Sequence, residues 1–239
     1  MRVLGLDTAT PATAVALLDE AAEPPLQVSE RDDPSPGARP NHTSRLLRLV
    51  EEVLGRSGAG WEAIDRIAVG IGPGTFTGLR IGIATAQALA RAREIELVGI
   101  STLASLAVAA RRAHEATPVL AVLDARRGEA FAAAWDAAGD PATDPPALEP
   151  CVLAPEGLAD VARRLPRGAI AVGDGAVKFA PDLERAGVTL PPQDAPLHRV
   201  SALEHCRLAI AAGVRPARPP DAVQPMYLRL PDAEIARRQ

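Results

Sequence analysis

The chain has 239 residues, 47% hydrophobic and 23% charged, with a formal net charge of −4. That length suits one large domain or two lobes of about 100 residues each, and the negative balance argues against binding nucleic acid by bulk electrostatics. Aromatic residues are only 3%, so the cores must close by near approach of small and branched aliphatic side chains. Cys151 and Cys206 match no C-x-x-C spacing, which disfavours metal or redox chemistry and suggests a reducing, cytoplasmic setting. The opening MRVLGLD carries Asp7 too early for a secretory leader. No run of about 18 apolar residues predicts a membrane span.

In chain order, Val3 to Leu6 reads as a strand ending at Asp7, with a turn at Thr8 to Pro11 and a return strand over Thr13 to Leu18. A short strand near Leu26 to Ser29 leads into a proline-rich, mobile loop ending near Pro40. Asn41 to Leu54 predicts an amphipathic helix, capped by Asn41 or Thr43, with Leu46, Leu47, Val50, Val53 and Leu54 at helical spacing. Gly55 and Gly58 are its stop signals. Arg66 to Val69 is a strand, Gly70 to Gly74 a glycine turn, and a helix begins at Thr75 or Thr77. A strand over Leu97 to Ile100 and an alanine-rich helix over Thr102 to His114 follow, the helix bridging two lobes. Pro118 to Leu123 is a strand ending at Asp124, and Glu129 to Trp135 returns. Asp140 to Pro150 reads as loop, Pro155 to Leu165 as helix, Ile170 to Val172 as strand and Ser201 to Ala212 as the last helix. The predicted lobes are 1–101, with the helix at 201–213 packing back on it, and 102–200, followed by a tail at 214–239.

Two features carry chemistry. The strand–aspartate–turn–strand unit occurs twice, at Asp7-Thr8 and at Asp124 to Gly128, which suggests duplicated lobes. Both units resemble the phosphate loops of actin-like ATPases, where backbone N–H groups cradle anions. The first turn lacks glycine and the second carries Arg126 and Arg127. With Gly173 and Asp174 these residues form a candidate vestigial nucleotide or anion cleft, or merely cap hairpins. The second feature is the glycine helix. Gly70 to Gly78 is neither a P-loop nor a clean dinucleotide fingerprint. Gly78, Gly82, Ala86 and Ala90 share one face at a cost of about 1 kcal/mol for each interior glycine, so a ligand or a tightly packed neighbour should compensate. Among the four histidines no pair has i, i+4 spacing, so no metal site is expected.

The stretch GPGTFTGLRIG at 72–82 resembles the TsaB family, formerly YeaZ, whose members act in bacterial tRNA threonylcarbamoyladenosine biosynthesis. LGLDTATPATAVAL, HTSRLLRLVEEVL, STLASLA, DARRGEAF, GDGAVK and YLR extend the likeness along most of the chain. The resemblance implies an α/β fold of two actin-like lobes (ribonuclease H-like, ASKHA type), each a mixed sheet with helices. It implies a scaffold that pairs with the catalytic paralogue TsaD and recruits the ATPase TsaE. That complex adds threonylcarbamoyl to N6 of adenosine 37 in tRNAs reading ANN codons. ATP and a metal ion are expected on the partners, and no cofactor on this chain. TsaD carries a histidine pair for its metal, whereas the comparable helix here has His42 alone. No catalytic residue is carried over, and tRNA is expected only through the complex.

The resemblance also places a partner interface on the helices at 42–54 and 76–92, through His42, Arg45, Leu46, Leu47, Val50, Thr77, Gly78, Ile81, Gly82, Thr85 and Ala86. Leu46, Leu47 and Val50 would anchor a partner over the small-residue face, and the same surface would make homodimers without TsaD. The rival readings are an actin-like kinase or carbamoyltransferase with its own nucleotide site between Asp7, Asp124 and Gly173, and a stand-alone homodimeric binding protein.

Overall fold

The computed structural model describes residues 1–35, 37–211, 215–217 and 219–229. The first lobe is a five-stranded sheet of β1 (Arg2–Asp7), β2 (Thr13–Asp19), β3 (Leu26–Asp32), β4 (Arg66–Gly72) and β5 (Glu96–Ser101), in the order β3-β2-β1-β4-β5. Its first three strands pair antiparallel, and β1–β4 and β4–β5 pair parallel. The second sheet holds β6 (Val119–Arg126), β7 (Glu129–Trp135), β8 (Leu148–Leu153) and β9 (Ile170–Val172), in the order β8-β7-β6-β9. There β6–β7 and β7–β8 are antiparallel and β6–β9 is parallel. The first four strands of each lobe therefore share one topology, that of a two-lobed actin-like α/β fold.

Each sheet is covered on both faces, which explains strands that are apolar almost throughout rather than alternating. On one face of the first sheet, Leu4, Leu6, Val15 and Leu17 pack with α1 (His42–Ser57) and α2 (Phe76–Arg93). On the other, Val3, Ala14, Ala16 and Ala68 meet Ala202, Cys206 and Ala209 of α7 (Ala202–Ile210). These small side chains let the α7 backbone lie close to the sheet, the packing mode that a chain poor in aromatics requires. In the second lobe α3 (Thr102–Ala113) covers one face, while α4 (Pro155–Arg164), α5 (Asp174–Lys178) and α6 (Ala180–Arg185) cover the other.

Several expected boundaries shift. Leu148–Leu153 is an edge strand rather than the end of a loop, paired to β7 despite Pro150, because an edge strand tolerates a missing donor. Between the strand at Ile170–Val172 and the last helix, where no helix is predicted, lie α5 and α6, the latter with a proline in its first turn. Helix α1 runs through Gly55 and stops at Gly58, which is left-handed (φ 66) and returns its N–H to the Gly55 carbonyl. Asn41 and Thr75 occupy N-cap positions, but neither side chain makes a capping hydrogen bond. Ser101 does cap its helix, accepting from the Ala104 N–H at 3.3 Å. The predicted last helix extends to 212–213, which lie outside the described residues; within them α7 ends at Ile210.

Candidate functional site

The small-residue face of α2 turns inward. Thr8, in the turn after β1, donates its hydroxyl to the Gly78 carbonyl at 2.7 Å. A methyl group at Gly78 would collide with the Thr8 carbonyl oxygen, and one at Gly82 with the Thr8 hydroxyl. Ala86 and Ala90 are buried in the first-lobe core. The neighbour that compensates the two helix glycines is therefore the chain's own β1–β2 turn. Gly78, Gly82 and Ala86, expected at a partner surface, are thus buried within the chain itself, the two glycines against its first hairpin. Leu46 and Val50 are buried likewise: each is 1% exposed and belongs to the core under the first sheet.

His42 is also buried, its Nδ1 2.9 Å from the Thr13 hydroxyl. Burial holds its imidazole below the ordinary range, against the opposing pull of Asp7 and Asp32. Of the residues expected at the interface, Leu47 is 48% exposed and Thr77 exposed, and Arg45, Ile81 and Thr85 are half-buried. Arg45 is paired with Asp32 at 3.1 Å. Since α1 and α2 pack side by side, their outer surfaces are adjoining.

The two aspartate turns differ from open phosphate loops in complementary ways. Asp7 is buried, bound to His205 of α7 at 2.9 Å, and accepts the Ala9 N–H at 3.1 Å. Gly70 leaves the room for this pair, because a side chain there would meet both the Asp7 carboxylate and His205. The Ala9 carbonyl accepts the Thr75 N–H at 2.8 Å, and a methyl on Gly74 would strike Ala9. The glycine turn thus lies directly on the first hairpin.

In the second lobe, Asp124 accepts from Lys178, the only lysine in the sequence, at 2.7 Å and from the Arg126 N–H at 2.8 Å. Its own N–H donates to Asp174 at 3.0 Å. Burial pushes the Asp174 carboxyl up, and the Asp124 charge adds to the effect. Arg126 and Arg127 form the hairpin tip, both with positive φ (64 and 54) and exposed. Gly173 opens α5 with φ 103, pressed against the Val122 carbonyl.

Sequence reasoning missed His205, Lys178 and the cluster of Phe76, Arg80 and Tyr227. In that cluster the rings lie 5.1 Å apart, and the Arg80 guanidinium sits 3.9 Å over Phe76 and donates to the Tyr227 hydroxyl at 3.2 Å. Lys178 and Tyr227 are each the only residue of their type, a compositional signal that pairs neither with its partner. Among the described residues no group of three or more His, Cys, Asp or Glu side chains is placed to hold a metal ion. Among them, too, no helix is long and apolar enough to cross a membrane.

Residues 35–174 match the family model described as TsaD: tRNA N6-adenosine threonylcarbamoyltransferase. The chain is 42% identical over 55% of its length to the tRNA threonylcarbamoyladenosine biosynthesis protein TsaB of Escherichia coli and 38% identical to that of Haemophilus influenzae. It spans about half the length of the curated relatives it matches, 53% and 52% of these two. Among solved structures, YeaZ from Pseudomonas aeruginosa is similar over 95% of this chain and 99% of its own, with a TM-score of 0.73 and 30% identity. Motif, family model and three-dimensional likeness agree, and the chain belongs to the TsaB (YeaZ) family.

Proposed function

We propose that the chain acts in tRNA threonylcarbamoyladenosine biosynthesis, the process named for its curated relatives; the family membership and the fold support this reading. Within that process it is a scaffold subunit with no catalytic step of its own. It binds a TsaD-like catalytic subunit, helps recruit a TsaE-like ATPase, and meets tRNA only through the complex that modifies adenosine 37. In isolation the same surface makes a homodimer.

The observation that carries this reading is the state of the two phosphate-loop positions. At the first, the Gly74–Thr75 backbone packs on the turn and bonds to Ala9, and the carboxylate of the second is paired with Lys178. A nucleotide-processing relative would need backbone N–H groups turned toward the cleft at both. The outward strip of α1 and α2 supports the partner role: among the described residues Leu47 is one of few large apolar side chains left substantially exposed, and exposed apolar residues of this kind can serve as anchors.

Two experiments test the proposal. Leu47→Glu with Thr77→Arg should abolish co-purification with the TsaD-like protein of the same genome while the melting temperature stays within about 2 °C of the parent, as expected for exposed positions. Undiminished co-purification would remove this surface as the partner site. Calorimetric titration of the isolated chain with ATP and magnesium should show no tight binding. Micromolar binding would favour the actin-like kinase or carbamoyltransferase reading instead.

A further inference from the structure

The described residues 215–217 and 219–229 do not end on the lobe where they begin. Ala217 pairs with Leu97 along the outer edge of β5, its N–H donating at 2.8 Å. Asp221 meets Arg91 of α2, and the Val223 carbonyl accepts from the Gln87 amide at 2.9 Å. The Val223 side chain is 6% exposed and joins the first-lobe core. The Met226 N–H then donates to the Ile71 carbonyl at 2.7 Å, at the carboxyl end of β4. Tyr227 stacks near Phe76 at the start of α2.

Two residues later the chain has changed lobes. Leu228 packs against the core formed by α3 and the second sheet, and Arg229 pairs with Glu129 at the start of β7, 2.7 Å apart. The two ends of the segment are held very differently. The attachment to the first lobe is an edge pairing, a buried valine and several backbone hydrogen bonds. The attachment to the second is one half-buried leucine and one ion pair whose members remain 26% and 37% exposed. Exposed pairs of that kind contribute little and are screened by salt.

We propose that residues 219–229 are an interlobe latch: a strap rooted on β4 and α2 whose tip, Leu228 and Arg229, fastens and releases the second lobe. Its root lies on α2, so the state of the tip is communicated to the helix whose outer strip is the proposed partner surface. The latch itself rests only on the fold and stands whether or not that surface binds a partner.

The test uses the full chain with Cys151→Ser and spin labels on cysteines introduced at Glu51 of α1 and Arg163 of α4, both exposed. Arg229→Glu should broaden the interlobe distance distribution toward longer values. It should also speed exchange of the Met226 amide at least about threefold, the scale set by losing a part-exposed ion pair. The exchanged pair Glu129→Arg with Arg229→Glu should restore the parent distribution. Raising salt from about 0.05 M to about 1 M should widen the parent in the same direction. Should Arg229→Glu fail to fold, Glu129→Gln replaces it with the same expectation. A distance distribution unchanged by the substitution and by salt overturns the latch, even if the melting temperature falls, because the strap would then be a static part of the fold.

Discussion

At Gly78, two magnitudes of opposite sign decide what an alanine does. Replacing a helix glycine gains at most about 1 kcal/mol of helix propensity, the full value applying to the helix interior rather than to the first turn, where Gly78 sits. The added methyl, however, meets the Thr8 carbonyl oxygen, a backbone atom fixed in the β1–β2 turn, and overpacking of that kind costs about 1–3 kcal/mol. Gly78→Ala should therefore lower the stability of the isolated chain in urea titration, and by more than Gly82→Ala, whose obstacle is the Thr8 hydroxyl. A stabilised Gly78→Ala would show that the turn yields and that the inward packing is loose. His42 gives a second test at this scale. Its pKa lies below the ordinary 6.5 because burial disfavours the imidazolium, so the folded chain binds this proton less well than the unfolded one. The His42 contribution is intact above about pH 6.5 and is lost as pH falls through the window between the ordinary value and the lowered one. His42→Gln should flatten the stability profile in that window relative to the parent. Parallel profiles would mean that the imidazole titrates normally.

At the scale of elements, α1 contrasts two neighbouring leucines. Leu46 is 1% exposed and Leu47 is 48% exposed. Leu46→Ala should cost about 2–5 kcal/mol, as for other buried leucines, whereas Leu47→Ala should change the isolated chain by no more than about 0.5 kcal/mol and act only on association. Equal losses in denaturant titration would contradict this division of the helix. The helical spacing made both leucines legible as apolar, but spacing alone ranks neither as core nor as surface. The stripe at Gly78, Gly82, Ala86 and Ala90 is legible too, but the neighbour it packs against is not. A small face needs something close, and here that is a turn 70 residues earlier in the chain, a separation no local pattern encodes. Strands β1, β2, β4, β6, β7 and β9 announced themselves as apolar runs bounded by turns. Prolines hid β8 and α6, because proline reads as loop unless one knows that a strand is at an edge or that a helix starts there, and the glycines at 173 and 175 made the five-residue α5 read as a turn.

For the whole molecule, the duplicated topology invites the inference that each lobe is an independent folding unit, and the packing contradicts it for the first. One face of its sheet is closed by α7, which enters from the far end of the sequence. The His205–Asp7 pair, 0% and 2% exposed, ties that helix to the end of β1, and the Cys206 thiol points at the Val3 carbonyl at 3.4 Å. Without α7 the sheet would expose Val3, Ala14, Ala16, Leu18, Ala68, Val98 and Ile100, all members of one buried cluster. An apolar surface of that kind is not left uncovered in a stable soluble lobe. A fragment of residues 1–101 should therefore bind a hydrophobic dye strongly and unfold without a sharp transition. A second fragment spanning 102–229 supplies α7 and should restore a cooperative melt when mixed with the first. His205→Ala in that second fragment should weaken the restoration, because it strands the buried Asp7 carboxylate without its partner, a loss of about 1–3 kcal/mol. A fragment of 1–101 that melts cooperatively alone would place the stabilising contacts of the first lobe within its own sequence and reduce α7 to a peripheral cover.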